Sequence, residues 1–258
     1  MPNNSVLITA RSNSTRLPEK ALRLIAPNTS LIEYCISRAL TFVEASKVIV
    51  ATTEDSSDDF LSHVVLQTGV NVYRGPVEDK IRRWAGAAQQ FNCEHIICFD
   101  GDDPFTDLQI GFTCADLLSS NTASLVKSVN VPCGSFTYAM DAESLVSLAQ
   151  RFDTSNSEMM WTYFEDDPSS FIHDYYHTYS RVHTTKQVEI ESIRVTVDYE
   201  EDINLIRHLI TNYTGSGDFS AEHIVSIYLE KPQLFQANSF RQSQFLLNQS
   251  RIISEYKK

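Results

Sequence analysis

The chain has 258 residues, 42% of them hydrophobic, and a formal net charge of −12 from 21 Lys and Arg against 33 Asp and Glu. Its length and apolar content suffice for a substantial core, and residues 1–258 are expected to form one main domain without a Pro/Gly-rich linker. The acidic balance argues against a nucleic acid polymer or an anionic membrane surface as partner, while a small anionic ligand can still bind where a few cations gather in a cleft.

The five cysteines form no CxxC pair, and no apolar run approaches the length of a membrane span. A reducing, cytoplasmic setting without membrane insertion is therefore expected.

In chain order, Val6 to Ile8, Val48 to Ala51, Val70 to Tyr73 and His95 to Phe99 are β-branched or apolar runs that predict strands. Between them, Leu31, Tyr34, Cys35, Arg38 and Ala39 keep helical spacing, as do Ile81, Trp84, Ala85 and Ala88. The alternation is α/β, predicting a mostly parallel sheet built by right-handed crossovers that return the chain to one edge. Ligands in such sheets bind beyond the carboxyl ends of the strands, so the segments after Thr9, Ala51, Tyr73 and Phe99 are expected to share one cleft.

In the second half, Ser124 to Val129 and Phe136 to Met140 predict strands around a turn at Pro132 to Gly134, with a helix from Ala142. Phe171 to Val182, rich in Tyr, His and Ser, predicts a small antiparallel arm suited to dimer contact. Ile193 to Val197 predicts a last core strand that delivers Asp198, followed by a helix from Glu200 to Ile210. The segment 232–258 reads as peripheral coil and helix.

Three constellations carry chemistry. Ala10 to Lys20 gathers Arg11, Arg16 and Lys20 with small hydroxyl and amide residues, Ser14 among them, directly after a strand. Small residues let backbone N–H groups approach phosphates, Arg offers forked charge-assisted bonds, and Lys offers a compact point charge. A solvated basic loop has the same composition.

The second, Asp100-Gly101-Asp102-Asp103-Pro104, follows an apolar strand and offers oxygen ligands of the kind Mg²⁺ takes, although an acidic turn capping a helix near Asp107 reads the same way. The third places Asp198 at a strand end, with Glu200, Glu201 and Asp202 opposing the positive end of the next helix. Thr52 and Thr53 after the second strand, Arg74 and Gly75 after the third, and Glu78, Asp79, Arg82 and Arg83 beyond are weaker signals.

These residues resemble the cytidylyltransferase family typified by spore-coat polysaccharide biosynthesis protein F, related to the CMP-Kdo and CMP-sialate synthetases. The likeness runs through ARxxSxRLPxK (Ala10, Arg11, Ser14, Arg16, Leu17, Pro18, Lys20), LIEY (Leu31 to Tyr34), VATT (Val50 to Thr53), YRG (Tyr73 to Gly75), GDxP (Gly101, Asp102, Pro104) and RVTVDxxED (Arg194 to Asp198, Glu201, Asp202).

The resemblance implies a Rossmann-like fold of the nucleotide-diphospho-sugar transferase, or glycosyltransferase A, type. It implies a homodimer, with about 130–185 serving acceptor binding and dimerisation, and transfer of CMP from CTP to an acidic sugar or similar anionic metabolite, releasing pyrophosphate. It also implies Mg²⁺ held by Asp102 and Asp198, and catalytic roles for Arg11, Arg16 and Lys20. The nucleotide site would draw on Thr9, Ala10, Arg11, Ser14, Arg16, Lys20, Thr52, Thr53, Arg74, Asp79, Arg83 and Gly101.

Three positions differ from the family pattern. Glu19 stands where glycine usually precedes the loop lysine, Cys98-Phe99-Asp100 stands where an Arg is common, and Ser157 to Tyr163 carries Met159, Met160 and Trp161. The last difference predicts an altered acceptor pocket or dimer contact. A glycosyltransferase using a nucleotide sugar, or a nucleotide-binding protein without turnover, would share the acidic motif, and the former would have less need of the basic loop.

Overall fold

The computed structural model describes residues 4–121, 123–154, 157, 160–179, 190–213 and 218–256. Among these residues, six parallel strands and one antiparallel strand make a sheet ordered β5-β4-β1-β6-β8-β7-β9. Its members are β1 (Asn4–Thr9), β4 (Val48–Thr53), β5 (Asn71–Gly75), β6 (His95–Asp100), β7 (Leu125–Val129), β8 (Tyr138–Asp141) and β9 (Ile172–Tyr176). A separate antiparallel ribbon pairs β2 (Leu24–Ala26) with β3 (Thr29–Ser30).

Alternation along the central strands sorts side chains into two cores. Val6, Ile8, Val48, Val50, Ile97 and Phe99 meet α1 (Leu31–Ala39), α2 (Asp59–Gln67), α4 (Leu108–Asn121), α7 (Glu200–Tyr213) and α8 (Ala221–Glu230). Leu7, Ile49, Ala51, Ile96 and Cys98 meet α3 (Lys80–Gln90), α5 (Ala142–Arg151) and α6 (Trp161–Asp166) on the opposite face. The result is a three-layer α/β fold, its central strands apolar on both faces as buried parallel strands require. Among the described residues no helix is long and apolar enough to cross a membrane.

The crossovers do not all return to one edge. The chain runs outward from β1 to β4 and β5, and α3 then carries it back to β6 on the other side of β1. This reversal makes a switch point where the ends of β1 and β6 lie in register, Thr9 opposite Asp100, and open one crevice.

Three further expectations are corrected. Within Phe171 to Val182, Ile172–Tyr176 runs parallel to β7 at the sheet edge. The helices α5 and α6 intervene and supply the crossover that a parallel neighbour needs. Val182, like Glu158 and Met159, lies outside the described residues.

Among the described residues, Ile193 to Val197 joins no ladder. β8 already occupies the edge of β6, leaving one isolated bridge from Arg194 to Cys133. Backbone bonds from Val195 N to Cys133 O (2.7 Å) and from Val197 N to Asp102 O (2.9 Å) still fix the segment. Gly134 permits this close crossing, since a Cβ there would lie 2.4 Å from Thr196 N, and its φ of +98° favours glycine.

The segment after Pro232 is not merely peripheral. It forms α9 (Gln236–Tyr256), whose Asn238 and Gln242 are buried against Arg194 and Asp202.

Candidate active site

Beyond Thr9 the chain leaves the sheet and folds back on itself, with Ser14 N and Glu19 N both donating to Ser12 O. The loop is anchored by Asp58, whose Oδ1 accepts from Ser12 N at 2.6 Å while Oδ2 accepts from Thr53 N at 3.1 Å. Burial alone would raise the Asp58 pKa, but hydrogen bonds from Thr53 and Ser12 outweigh it and hold the carboxyl below its usual range. Glu19 takes a left-handed conformation, φ +53°, and its side chain is exposed and absent from the cleft lining. That turn then starts a short helical segment, Lys20–Leu22, which aims Lys20 inward.

At the base of the cleft the Lys20 ammonium bonds Asp102 and lies 3.2 Å from both Asp198 Oδ1 and Val197 O. Arg16 bonds the same Asp198 oxygen, and buried Arg194 reaches Asp198 Oδ2 at 3.1 Å. Arg194 is held in turn by Asp202, at 2.9 and 3.0 Å, and Asp202 also accepts from the backbone of Asp198 and Tyr199. Asp202 therefore fixes the position of Asp198 as well as opposing the helix end.

The titration behaviour follows this sharing of charges. Burial would depress the Lys20 pKa, but Asp102 and Asp198 together raise it. Burial would raise Asp198, but Lys20, Arg16 and Arg194 draw it down to about 2. Asp102 moves upward, because burial and the neighbouring Asp100 and Asp198 outweigh its share of Lys20. The opposite shifts on two partners of one lysine reflect Asp198 holding two more cations.

A cleft of about 400 Å³ covers this cluster. It brings together Thr9, Ala10, Arg11, Ser14, Arg16, Lys20, Arg83, Gly101, Asp102 and Asp198 from the residues expected on sequence grounds. Gly101 fits because a Cβ there would crowd Ala10 Cβ and Thr9 O at 3.1 Å, which keeps the two strand ends close.

Thr52, Thr53, Arg74 and Asp79 are not among its lining. Thr52 is buried, and Thr53 is committed to Asp58. Arg74 bonds Thr53 O, Asp55 O and Asp59 at 2.8, 2.7 and 2.6 Å. Asp79 caps α3 through Arg82 N at 2.9 Å and accepts from Thr154 and Ser157 in the interior.

Sequence reasoning missed Lys80, which reaches Asp100 at 2.6 Å and stands 4.8 Å from the Trp84 ring centroid. It also missed Phe136 and Tyr138 from the β8 side and Phe245, Asn248 and Gln249 from α9 as cleft residues. For Lys80 the only signal was its place at the start of the helix that recrosses the sheet; for Asp58, which anchors the loop, it was an acid five residues after VATT.

Asp102 and Asp198 offer the oxygen donors that Mg²⁺ takes, and both reach the one ammonium of Lys20, so they already face a common cation position. Carboxylate oxygens of Asp100 and Asp103 lie within 4.8 Å of one on Asp102.

Comparison with known proteins gives consistent results. Residues 5–252 match a family model described as Cytidylyltransferase. The chain is 23% identical over 232 residues to spore coat polysaccharide biosynthesis protein SpsF of Bacillus subtilis, covering 88% of this chain and 94% of that protein.

A solved cytidylyltransferase structure from Leptospira borgpetersenii superposes with a TM-score of 0.77 at 24% identity, over 92% of this chain and 98% of that one. The CMP:2-keto-3-deoxy-manno-octonic acid synthetase complexed with CTP gives a TM-score of 0.59 at 15% identity, over 81% and 98%.

Proposed function

The chain belongs to the cytidylyltransferase family and is a CTP-dependent nucleotidyltransferase, and on that premise we propose that it transfers CMP from CTP to an anionic sugar-like acceptor in surface-glycan biosynthesis. The supporting observation is the cation cluster after β1, in which Lys20 bridges Asp102 and Asp198 while Arg16 holds Asp198.

In the transfer, an acceptor hydroxyl oxygen forms a bond to the α-phosphorus of CTP as the bond from that phosphorus to the oxygen bridging to the β-phosphate breaks. Pyrophosphate leaves with the bonding electrons, and the hydroxyl proton passes to solvent or a neighbouring base. The protein contributes positioning and neutralisation of the charge that moves onto the leaving group. Arg11, Arg16 and Lys20 hold the triphosphate and meet that charge.

Asp102 and Asp198 would hold Mg²⁺, which supplies further neutralisation of phosphate oxygens. Arg16 and Lys20 are paired with carboxylates in this structure, so phosphate binding exchanges one set of anions for another. Preformed pairing keeps both side chains in the cleft. Ala10 backbone would meet the base, with the Thr53–Asp58–Ser12 link setting the loop beside β4. The proposal extends to a homodimer in the cytoplasm, as the family resemblance and the cysteine pattern imply.

Calorimetric titration with each nucleoside triphosphate and Mg²⁺ tests it. CTP is expected to bind about tenfold or more tightly than UTP, ATP or GTP; equal affinities would remove the CTP assignment.

A further inference from the structure

One face of the C-terminal helix α9 runs from the interior of the molecule into the cleft. Asn238, Gln242, Phe245 and Gln249 recur at intervals of four, three and four residues and so lie along a single stripe. Asn238 is fully buried, while Phe245 and Gln249 line the cleft. The transfer chemistry gives the buried end of that stripe no part.

That end grips the segment that delivers Asp198. Asn238 Nδ2 donates to Asp202 Oδ1 at 2.8 Å and to Arg194 O at 3.3 Å, so one amide joins the two ends of residues 194–202. Arg194 Nη1 donates to Gln242 Oε1 at 3.5 Å, and Gln242 Nε2 donates to Glu191 O at 3.3 Å. The Phe245 ring centroid lies 5.3 Å from the Arg194 guanidinium carbon. Arg241, beside the stripe, bonds Glu201 at 2.9 Å and stands 4.0 Å from the centroid of the Tyr199 ring.

We propose that Asn238 is a positioning residue for the transfer reaction, through which α9 fixes the carboxylate of Asp198 in the cleft. The inference rests on the CMP-transfer reading and adds the C-terminal helix to its machinery.

Backbone bonds to Cys133 and Asp102 hold the extended segment as far as Val197. Beyond it, the backbone N–H groups of Asp198 and Tyr199 donate to Asp202 Oδ2 at 2.9 and 3.0 Å. Arg194 binds the same carboxylate and reaches Asp198 Oδ2 at 3.1 Å. All these donors belong to residues 194–199 and shape the turn from within. Asn238 brings a donor from a separate element, 36 residues beyond Asp202, and ties the turn to α9.

The amide is suited to this task and to little else. Both of its acceptors are oxygens, so a flipped amide would set Oδ1 against a carboxylate and a carbonyl. Among the described residues Asn238 Oδ1 has no partner, which costs stability in a buried site. An apolar side chain would avoid that cost, so packing alone gives no reason for asparagine, whereas holding Asp202 does. Misplacement of a reacting geometry by about 1 Å can cost about 10²-fold in rate, which makes small shifts of Asp198 consequential.

The test compares the full chain with Asn238→Leu, which keeps the volume and removes both donors, and with Gln242→Met. Amide hydrogen exchange is read by NMR, and pyrophosphate release is measured over a range of CTP concentrations with Mg²⁺ and a sugar acid that the parent turns over. In Asn238→Leu the amides of Asp198 and Tyr199 are expected to exchange about tenfold faster, while those of β1 change less than about twofold. The kcat is expected to fall about tenfold with KM for CTP within about threefold, as for a group that acts in the transition state. Gln242→Met should speed the same two amides by about threefold, and it carries the comparison if Asn238→Leu fails to fold.

Unchanged exchange at Asp198 and Tyr199 in both variants would overturn the proposal, as would a uniform rise through the sheet, which a purely structural role produces. Faster exchange at those amides with kcat within about twofold of the parent would overturn it too. A parent without turnover would instead count against the cytidylyl reading, and faster exchange confined to the two amides would in that case still support Asn238 as the anchor of Asp198.

Discussion

Lys20 Nζ lies 3.2 Å from Asp198 Oδ1, two residues 178 positions apart that meet in one cleft beside Asp102. The compact ammonium fits between two carboxylates, where a planar guanidinium would have to displace one of them. Lys20→Ala is expected to lower the rate of pyrophosphate release about 10²–10³-fold, as removal of a charge-stabilising donor does elsewhere. Lys20→Arg should fail to restore it. A fall of less than about threefold in Lys20→Ala would place this lysine outside the chemistry.

Asp198 makes acid stability a second readout. Its pKa is drawn down to about 2 by cations that outweigh burial. The pKa is depressed relative to the unfolded value, about 3.9, so the stabilisation is complete above that value and is lost as pH falls through the folded value.

Asp198→Asn should therefore be less stable than the parent at neutral pH by roughly 2 kcal/mol from this linkage alone. In urea titrations that gap should narrow between about pH 5 and about pH 2.5. A constant gap would contradict the assignment of the shift to Asp198.

Glu19 sets up a substitution that should improve the protein. At φ +53° its backbone carries the strain of a left-handed non-glycine residue. Glu19→Gly is expected to stabilise the fold by about 0.5–1 kcal/mol after the entropic loss of glycine is counted. Removing an anion from the phosphate loop should also tighten CTP binding modestly. Thermal unfolding and calorimetry check both effects, and destabilisation would show that the Glu19 side chain is needed.

Arg74 provides the contrasting case. Its guanidinium is spent on Thr53 O, Asp55 O and Asp59. Arg74→Ala should leave the CTP dissociation constant within about twofold while lowering thermal stability slightly, since an exposed ion pair contributes only about 0–1 kcal/mol. A tenfold loss of CTP affinity would return Arg74 to the nucleotide site.

The sequence carried the central strands and the loop because buried parallel strands are continuous β-branched runs and because three cations after one of them are conspicuous. Asp102 and Asp198 were legible for the same reason, each following an apolar extended run. The Lys80–Asp100 pair was not, since it depends on α3 recrossing the sheet to set its first turn beside the end of β6.

Nor did alternation in 193–197 reveal that β8 had taken the neighbouring edge. The weak periodicity of α9 concealed that Asn238 bonds Asp202 at 2.8 Å and that Phe245 reaches the cleft. Arg74 and Asp79 looked like site residues because they flank a strand end, whereas their partners in space turn both away from the cleft.

The central claim is transfer of a cytidylyl group, and pyrophosphate release tests it most directly. The full-length chain is incubated with Mg²⁺, each of the four nucleoside triphosphates and a panel of sugar acids. Release with CTP that depends on a sugar acid and is lost in Lys20→Ala is the predicted result. No release with CTP under any acceptor, or equal release with all four triphosphates, would contradict it.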